Sequence, residues 1–517
     1  MSGSAQVTQP DGRVELVDSS AIAGSRFYNP ELAPVPVDRR HWTTYNYFAL
    51  WMGMAHNIPS YTLASSLIIL GMDWVQAFLT ITLGNLIVLV PMLFNSHAGT
   101  KYGIPFPVFA RAFYGVRGAN LAALLRAFIA CAWFGIQTWV GGEALFVIIG
   151  KLTGDGWSNA ATIGDEPWTL WLCFVVFWVV QMLIIWRGMD AIRRFENWTA
   201  PLVSVGFLIL LAYVVIKAGG FGPILSEPSK LGWGPDFWAT FFPSLMAMIA
   251  FWSTLSLNMP DFTRFGGSQR KQVTGQILGL PTTMSFIAIV AILTTSGATA
   301  LYGNDPKLWD PAYLASKFTS PALVVVALIA LVLATVSANL AANVVSPSYD
   351  FSNAFPKRIT FAVGGLITGV VGVLIQPWRL ISDPSIYIFT WLGFYGGVLA
   401  AVAGVLIAGY WTVRRTRLNL VDLYRDGGGA YWFKAGWNWR AVVATLVGAV
   451  LGVGGAYGGP FPADGLIPFL KPLYDFSWVV GLVAGFLVYL ALSMRDTEEA
   501  ASGADSSSRV GPAAVDG

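Results

Sequence analysis

The chain has 517 residues, 55% of them hydrophobic and 11% charged, with a mean hydropathy of +0.60. A soluble chain carries about 25% charged residues, so this composition excludes a free-standing soluble protein and places most of the chain in a bilayer. The net charge of +3 excludes a basic nucleic-acid surface. Cys131 and Cys173, both in apolar runs, read as core residues rather than a disulfide or a metal pair.

From the N-terminus, residues 1–44 are polar, carry Pro30, Pro34 and Pro36, and lack the apolar stretch of a cleaved signal peptide. They read as a cytoplasmic tail. A membrane span needs about 20 mostly apolar residues. Twelve stretches qualify: 45–70, 74–95, 118–149, 168–186, 199–217, 237–259, 276–300, 321–345, 359–376, 386–411, 440–458 and 476–494. The third is overlong, which predicts strong tilt. Residues 495–517, rich in Ala, Gly, Ser and Asp, read as a disordered cytoplasmic tail.

An even number of spans puts both termini on one side. Alternate loops concentrate the basic residues: Lys101, Arg111 and Arg117; Arg187, Arg193 and Arg194; Arg264, Arg270 and Lys271; Lys357 and Arg358; Arg414, Arg415 and Arg417. The positive-inside rule makes that side, and both termini, cytoplasmic.

Span one is interrupted by Gly53, His56, Asn57 and Pro59. In a continuous helix Pro59 has no N–H for the Ala55 carbonyl. A freed carbonyl at membrane depth needs a partner: a cation, a water or a neighbouring hydroxyl. The hexapeptide Asn57-Ile58-Pro59-Ser60-Tyr61-Thr62 returns as Asn258-Met259-Pro260-Asp261-Phe262-Thr263 at the end of span six. Two five-span halves of odd length have opposite topology, the arrangement of inverted-repeat membrane proteins with interrupted helices. The alternative is a chance match in which each proline is only a tolerated kink.

Span three holds Trp133 and Gln137, which share one helix face at i, i+4. An indole beside a carboxamide suits a flat heterocycle, by stacking and paired polar contacts. Span six adds Phe251 and Trp252. Most of the 22 tryptophans fit interfacial belts or packing, but Trp133 and Trp252 fall near span centres. Span eight is apolar from Pro321 to Val336, then turns polar through Ser337, Asn339 and Asn343 and on to Ser346, Asp350 and Asn353. Polar groups at that depth line a cavity or meet a partner. The ionisable groups within spans are His56, a candidate proton-linked group or a neutral spacer, Glu143 towards the outer end, and Arg126 near the inner start of span three. There is no Walker loop, dinucleotide fingerprint or paired-carboxylate constellation, which argues against an ATP-driven pump or an enzyme.

Three stretches give the chain a family likeness: Trp133 to Gln137; Phe251-Trp252 with Asn258 to Phe265; and Ser337 to Pro356. Over residues 27–495 the chain resembles the nucleobase:cation symporter-1 family, the permeases of hydantoin, allantoin, uracil, cytosine and related compounds. The resemblance implies an all-α integral membrane protein with twelve transmembrane helices. Its core at 45–411 would be a LeuT-like five-plus-five inverted repeat (45–217 and 237–411), with two extra C-terminal helices within 412–494. It implies stacking of substrate between Trp133 and Trp252, with polar contacts from Gln137 and Asn343. Pro59 and Phe251 join this group, the latter standing where the hydantoin permease pattern has glycine. It implies a sodium site formed by Ala55, Ile58, Ala334, Ser337 and Ala338. The second hydroxyl of that site is missing at Ala338, which weakens it, and Thr335 or Ser66 is a candidate substitute.

The sequence thus reads as a plasma-membrane importer of a small planar nitrogen heterocycle, coupled to sodium or protons. No cofactor, no metal beyond sodium, no nucleic acid and no obligatory protein partner are expected. The alternatives are an uncoupled facilitator or transceptor, and a permease for a thiamine-like vitamin.

Overall fold

The computed structural model describes residues 5–187 and 205–494. The start of the fifth predicted span, Arg193 and Arg194, and the C-terminal tail at 495–517 lie outside the described residues. Described helices fall in every predicted span. They are α1 (Thr44–Ala55), α2 (Ile58–Ile69), α3 (Trp74–Tyr102), α4 (Phe106–Tyr114), α5 (Ala119–Thr153), α6 (Trp168–Trp186) and α7 (Val205–Lys217). There follow α8 (Pro235–Phe251), α9 (Ser253–Asn258), α10 (Gln269–Tyr302), α11 (Pro321–Asn343), α12 (Val345–Ala354), α13 (Phe361–Leu374), α14 (Ile386–Val413), α15 (Trp439–Val453) and α16 (Ser477–Leu492).

Among the described residues, six helices are long and apolar enough to cross a membrane: α3, α5, α6, α10, α11 continued through α12, and α14. Others are shorter because span one is broken, or because small residues end them early, as Gly454 caps α15. The expectation of a purely helical chain needs one correction. Two small antiparallel hairpins lie outside the spans, β1 (Gln6–Thr8) with β2 (Val14–Leu16) and β3 (Thr162–Ile163) with β4 (Glu166–Pro167).

The outward faces are apolar. On α3, Leu79, Leu83, Leu86, Val90 and Phe94 are exposed at helical spacing, and on α6 so are Val175, Val176, Val179 and Leu183. Such stripes suit lipid and not water. The inward faces carry the small and polar residues. Helix α5 is central, packing on α11, α12 and α13. It approaches α13 so closely that a Cβ added at Gly135 would lie 2.2 Å from the Gly372 carbonyl oxygen. A Cβ at Gly84 of α3 would lie 2.4 Å from Met248 Cβ of α8. Small residues at these crossings let the backbones meet. Cys131 and Cys173 are free and buried, as the sequence implied.

Candidate functional site

The break in span one comes earlier than Pro59. Helix α1 ends at Ala55, His56 (φ −87°, ψ 79°) turns the chain and Asn57 (φ −145°, ψ 169°) is extended. The Asn57 carboxamide bridges both halves, accepting from the Ser60 N–H at 2.8 Å and donating to the Met54 carbonyl at 2.6 Å. This is an N-cap joined to a C-terminal cap. Pro59 sits in the first turn of α2, where its missing N–H costs nothing. The Ala55 carbonyl is therefore not left free by Pro59, because it accepts the Asn57 N–H at 3.1 Å. The Pro59 carbonyl accepts from Thr62 Oγ1 at 3.0 Å and from the Tyr387 hydroxyl at 3.3 Å.

The second break falls at Trp252 (φ −101°, ψ 9°), between α8 and α9. The two copies of the hexapeptide differ in setting: the first begins at the break, with Asn57 capping α2, while the second runs from the end of α9 at Asn258 through Met259 into a further helical turn, Pro260–Thr263. Ending α8 leaves carbonyls without helical partners. The Tyr395 hydroxyl takes one, donating to the Ala250 carbonyl at 2.8 Å, and it accepts the Trp133 Nε1–H at 3.1 Å. Trp252 Nε1–H donates to Asn85 Oδ1 at 3.0 Å, and Asn85 Nδ2 is held by the Ile81 carbonyl at 2.8 Å. Both indoles are pinned by their N–H edges.

Phe251 lies edge-on to both, with centroids 5.1 Å from Trp133 and 4.9 Å from Trp252. Trp51 meets Trp252 at 5.1 Å, and Tyr387 and Trp391 each meet Trp133 at 6.2 Å. The structure therefore brings Trp133, Phe251 and Trp252 together, in a buried aromatic cluster at the crossing of α5, the α8–α9 break and α14. Such rings offer flat, polarisable faces to a planar ligand.

Gln137 is one helical turn from Trp133, and its Oε1 is buried with no hydrogen-bond partner among the described residues. An unpaired buried acceptor costs about 1–3 kcal/mol, which makes this carboxamide a ready contact for a ligand donor. Asn343, the last residue of α11, donates to Asn339 Oδ1 at 2.9 Å. Asn339 in turn bonds the Phe134 carbonyl at 3.1 Å and Gln181 Oε1 at 2.7 Å. Asn343 is thereby tied to α5, which carries Trp133 and Gln137.

The residues of the expected cation site divide between two elements that pack together. Helix α11, with Ala334, Ser337 and Ala338, runs against both α1 and α2, which carry Ala55 and Ile58. All five are buried. The donor set is three backbone carbonyls and the Ser337 hydroxyl. Thr335 and Ser66, candidates to supply the missing hydroxyl, donate to carbonyls of their own helices, Leu331 at 2.9 Å and Leu63 at 2.8 Å. Hard cations take several oxygens, and this set is thin for one.

His56 and Glu143 stand apart from the aromatic cluster. The His56 ring faces α10, 5.3 Å from Phe286 and within hydrogen-bonding reach of the Thr283 backbone. Glu143 lies six residues beyond Gln137, about 9 Å along the helix axis, among Trp139, Asp310, Glu166 and Lys307. Arg126 forms an ion pair with Asp350 at 3.2 Å, both side chains fully buried. It joins α5 to α12, and Asp261 is its second acidic neighbour.

Tyr387, Trp391, Tyr395, Asn85 and Gln181 went unnoticed in the sequence as parts of this neighbourhood. Tyrosines and amides on apolar spans carried a signal, since each needs a buried partner. Which partner each would meet depends on helix crossings that no local pattern encodes.

Known proteins resemble this chain along most of its length. Residues 34–481 match a family described as permeases for cytosine/purines, uracil, thiamine and allantoin. The chain is 41% identical over 477 residues to the allantoin permease of Bacillus subtilis, covering 90% of this chain and 93% of that one. It is 39% identical over 472 residues to the purine-uracil permease NCS1 of Arabidopsis thaliana, covering 90% and 78%. Among solved structures, it is similar to Mhp1, a nucleobase-cation-symport-1 family transporter in a closed conformation with bromovinylhydantoin bound. That likeness has a TM-score of 0.73 at 26% identity, over 92% of this chain and 96% of that one. By the family match over residues 34–481 and this identity to known permeases, the chain belongs to the nucleobase:cation symporter-1 family, a family of membrane permeases and not of enzymes.

Proposed function

We propose that this permease imports a small planar nitrogen heterocycle of the allantoin, hydantoin, uracil and cytosine type by cation symport with alternating access. The carrying observation is the cluster formed by Trp133, Phe251 and Trp252, with the amides of Gln137 and Asn343 on the packed pair α5 and α11. Indole faces stack on a flat ring, and carboxamides pair with its lactam edge. In this reading twelve spans cross the plasma membrane, built as a five-plus-five inverted repeat with two further C-terminal spans. Both termini are cytoplasmic. The broken spans one and six flank the ligand, as in inverted-repeat carriers.

For the coupling ion, the carbonyls of Ala55, Ile58 and Ala334 with the Ser337 hydroxyl form the candidate sodium site. Ala338 withholds the further oxygen, so the reading favours a weak response to sodium and a stronger one to protons. His56, which flanks the break in span one, is the nearest titratable group. No cofactor or protein partner enters this cycle.

The test is a panel of allantoin, hydantoin, uracil, cytosine and thiamine. Binding to the purified chain is measured first, then uptake into proteoliposomes with and without ion gradients. Saturable binding of at least one heterocycle and gradient-driven accumulation are expected. Binding of thiamine alone would contradict the substrate class, and equilibration that ignores every gradient would make the protein a facilitator.

A further inference from the structure

The polar groups between α5, α6 and α11 determine one another's orientation. The Thr138 hydroxyl has a single proton, and it goes to the Phe134 carbonyl at 2.7 Å. Its oxygen must therefore accept from Gln181 Nε2, 3.0 Å away. A second contact of that nitrogen, 3.5 Å from the Phe177 carbonyl, agrees with this assignment. The Gln181 oxygen is then left to accept from Asn339 Nδ2 at 2.7 Å. The same nitrogen also meets the Phe134 carbonyl at 3.1 Å, and a carbonyl only accepts. The Phe134 carbonyl thus fixes the Asn339 amide directly, and the Phe177 carbonyl fixes it through Gln181. Its Oδ1 accepts from Asn343 Nδ2 at 2.9 Å.

Amide orientations are ordinarily assigned from their hydrogen-bond networks. Here each step leaves only one choice. Asn343 is left with its oxygen as the group not bonded to protein among the described residues. Gln137, next to Thr138 on α5, has no such anchor on its Oε1.

We propose that the buried relay Thr138–Gln181–Asn339 holds the Asn343 carboxamide oxygen ready for the ligand, so that the site selects rings presenting an N–H donor at that point. Resting on the transport reading above, this makes Thr138, Gln181 and Asn339 positioning residues that set the hydrogen-bond polarity of recognition. Asn343 holds its oxygen at a fixed point, with the second N–H of its amide beside it, while the Gln137 Oε1 has no such anchor. A ring lacking the N–H would leave the Asn343 oxygen desolvated and unpaired.

The test uses the purified full-length chain in detergent and isothermal titration with three ligands. Hydantoin carries both ring N–H groups. Succinimide replaces one by a methylene, and 3-methylhydantoin blocks the other. Wild type should bind hydantoin on the order of tenfold to a hundredfold more tightly than at least one of the others. In Asn339→Leu the Asn343 amide is released and that ratio should collapse towards unity; Thr138→Val, in which the Phe134 carbonyl still holds Asn339, should narrow it less, and Thr138→Ser should keep it. A ratio unchanged in Asn339→Leu would overturn the proposal. So would a parallel loss of affinity for all three ligands, the mark of a merely structural role.

A ligand-free arm separates this proposal from the transport reading. In chain labelled with nitrogen-15 asparagine, the Asn343 side-chain amide protons, assigned by their loss in Asn343→Asp, should exchange slowly in wild type and faster in Asn339→Leu. Failure of every heterocycle to bind would count against the transport reading, while equal exchange rates would still sink the relay.

Discussion

At the scale of single residues, the aromatic cluster is built from side chains whose polar edges are already committed. Trp133 and Trp252 give their N–H groups to Tyr395 and Asn85, which leaves the indole faces for stacking and fixes their planes. Loss of a base–aromatic stack costs about 1–3 kcal/mol, or roughly one to two decades in affinity. Trp133→Ala should therefore weaken heterocycle binding by that factor in fluorescence titrations, with thermal unfolding little changed. Trp133→Phe, which keeps an aromatic face but drops the bond to Tyr395, should fall between. Wild-type affinity in Trp133→Ala would show that the ring binds elsewhere. Asn343→Ala removes the acceptor held out by its neighbours and should cost about 1–3 kcal/mol in the same titration. The sequence made the indoles and the terminal amides legible because they interrupt apolar spans. It gave no sign of the residues that orient them, since Asn85, Tyr395 and Gln181 act from other helices.

At the scale of elements, two devices hold the helices around the cluster. One is close backbone approach. Gly135 faces the Gly372 carbonyl, and even a methyl there would collide with backbone at 2.2 Å. Gly135→Val should displace α5 from α13 and lower stability by about 1–3 kcal/mol, the usual cost of overpacking. Unchanged thermal unfolding would mean that the crossing is looser than described. The other device is the buried pair Arg126–Asp350. Removing one partner strands a charge and costs about 3–5 kcal/mol, so Asp350→Ala should unfold far earlier on heating than Arg126→Met combined with Asp350→Leu. Equal losses in the single and double variants would contradict that explanation.

Helix existence was readable from apolar run length, and the break of span one from its Asn and Pro. The break at Trp252 was not, because no Gly or Pro marks it. It depends on Tyr395 and other neighbours supplying the partners that a helix end lacks. The boundary at His56–Asn57 falls within the interruption read from Gly53 to Pro59, where Asn57 caps the second half two residues before the proline.

At the scale of the whole molecule, function rests on two packed units meeting at the site: span one with its break, and α11 with its polar end. In the proposed reading their contact would hold the coupling ion. Ala338 supplies no side-chain oxygen to that proposed site. Ala338→Thr should therefore raise the stimulation of uptake by a sodium gradient, with substrate affinity at zero sodium little altered. No gain would mean that the carbonyls of Ala55, Ile58 and Ala334 do not converge on an ion.

The most direct measurement of the account as a whole is uptake of radiolabelled allantoin, hydantoin and uracil into proteoliposomes, with sodium and proton gradients imposed separately. The account predicts accumulation of at least one of them above its external concentration under an inward proton gradient. It predicts a weaker response to sodium, and loss of both responses in Trp133→Ala. Accumulation that survives Trp133→Ala, or entry that never exceeds the external concentration under either gradient, would contradict it.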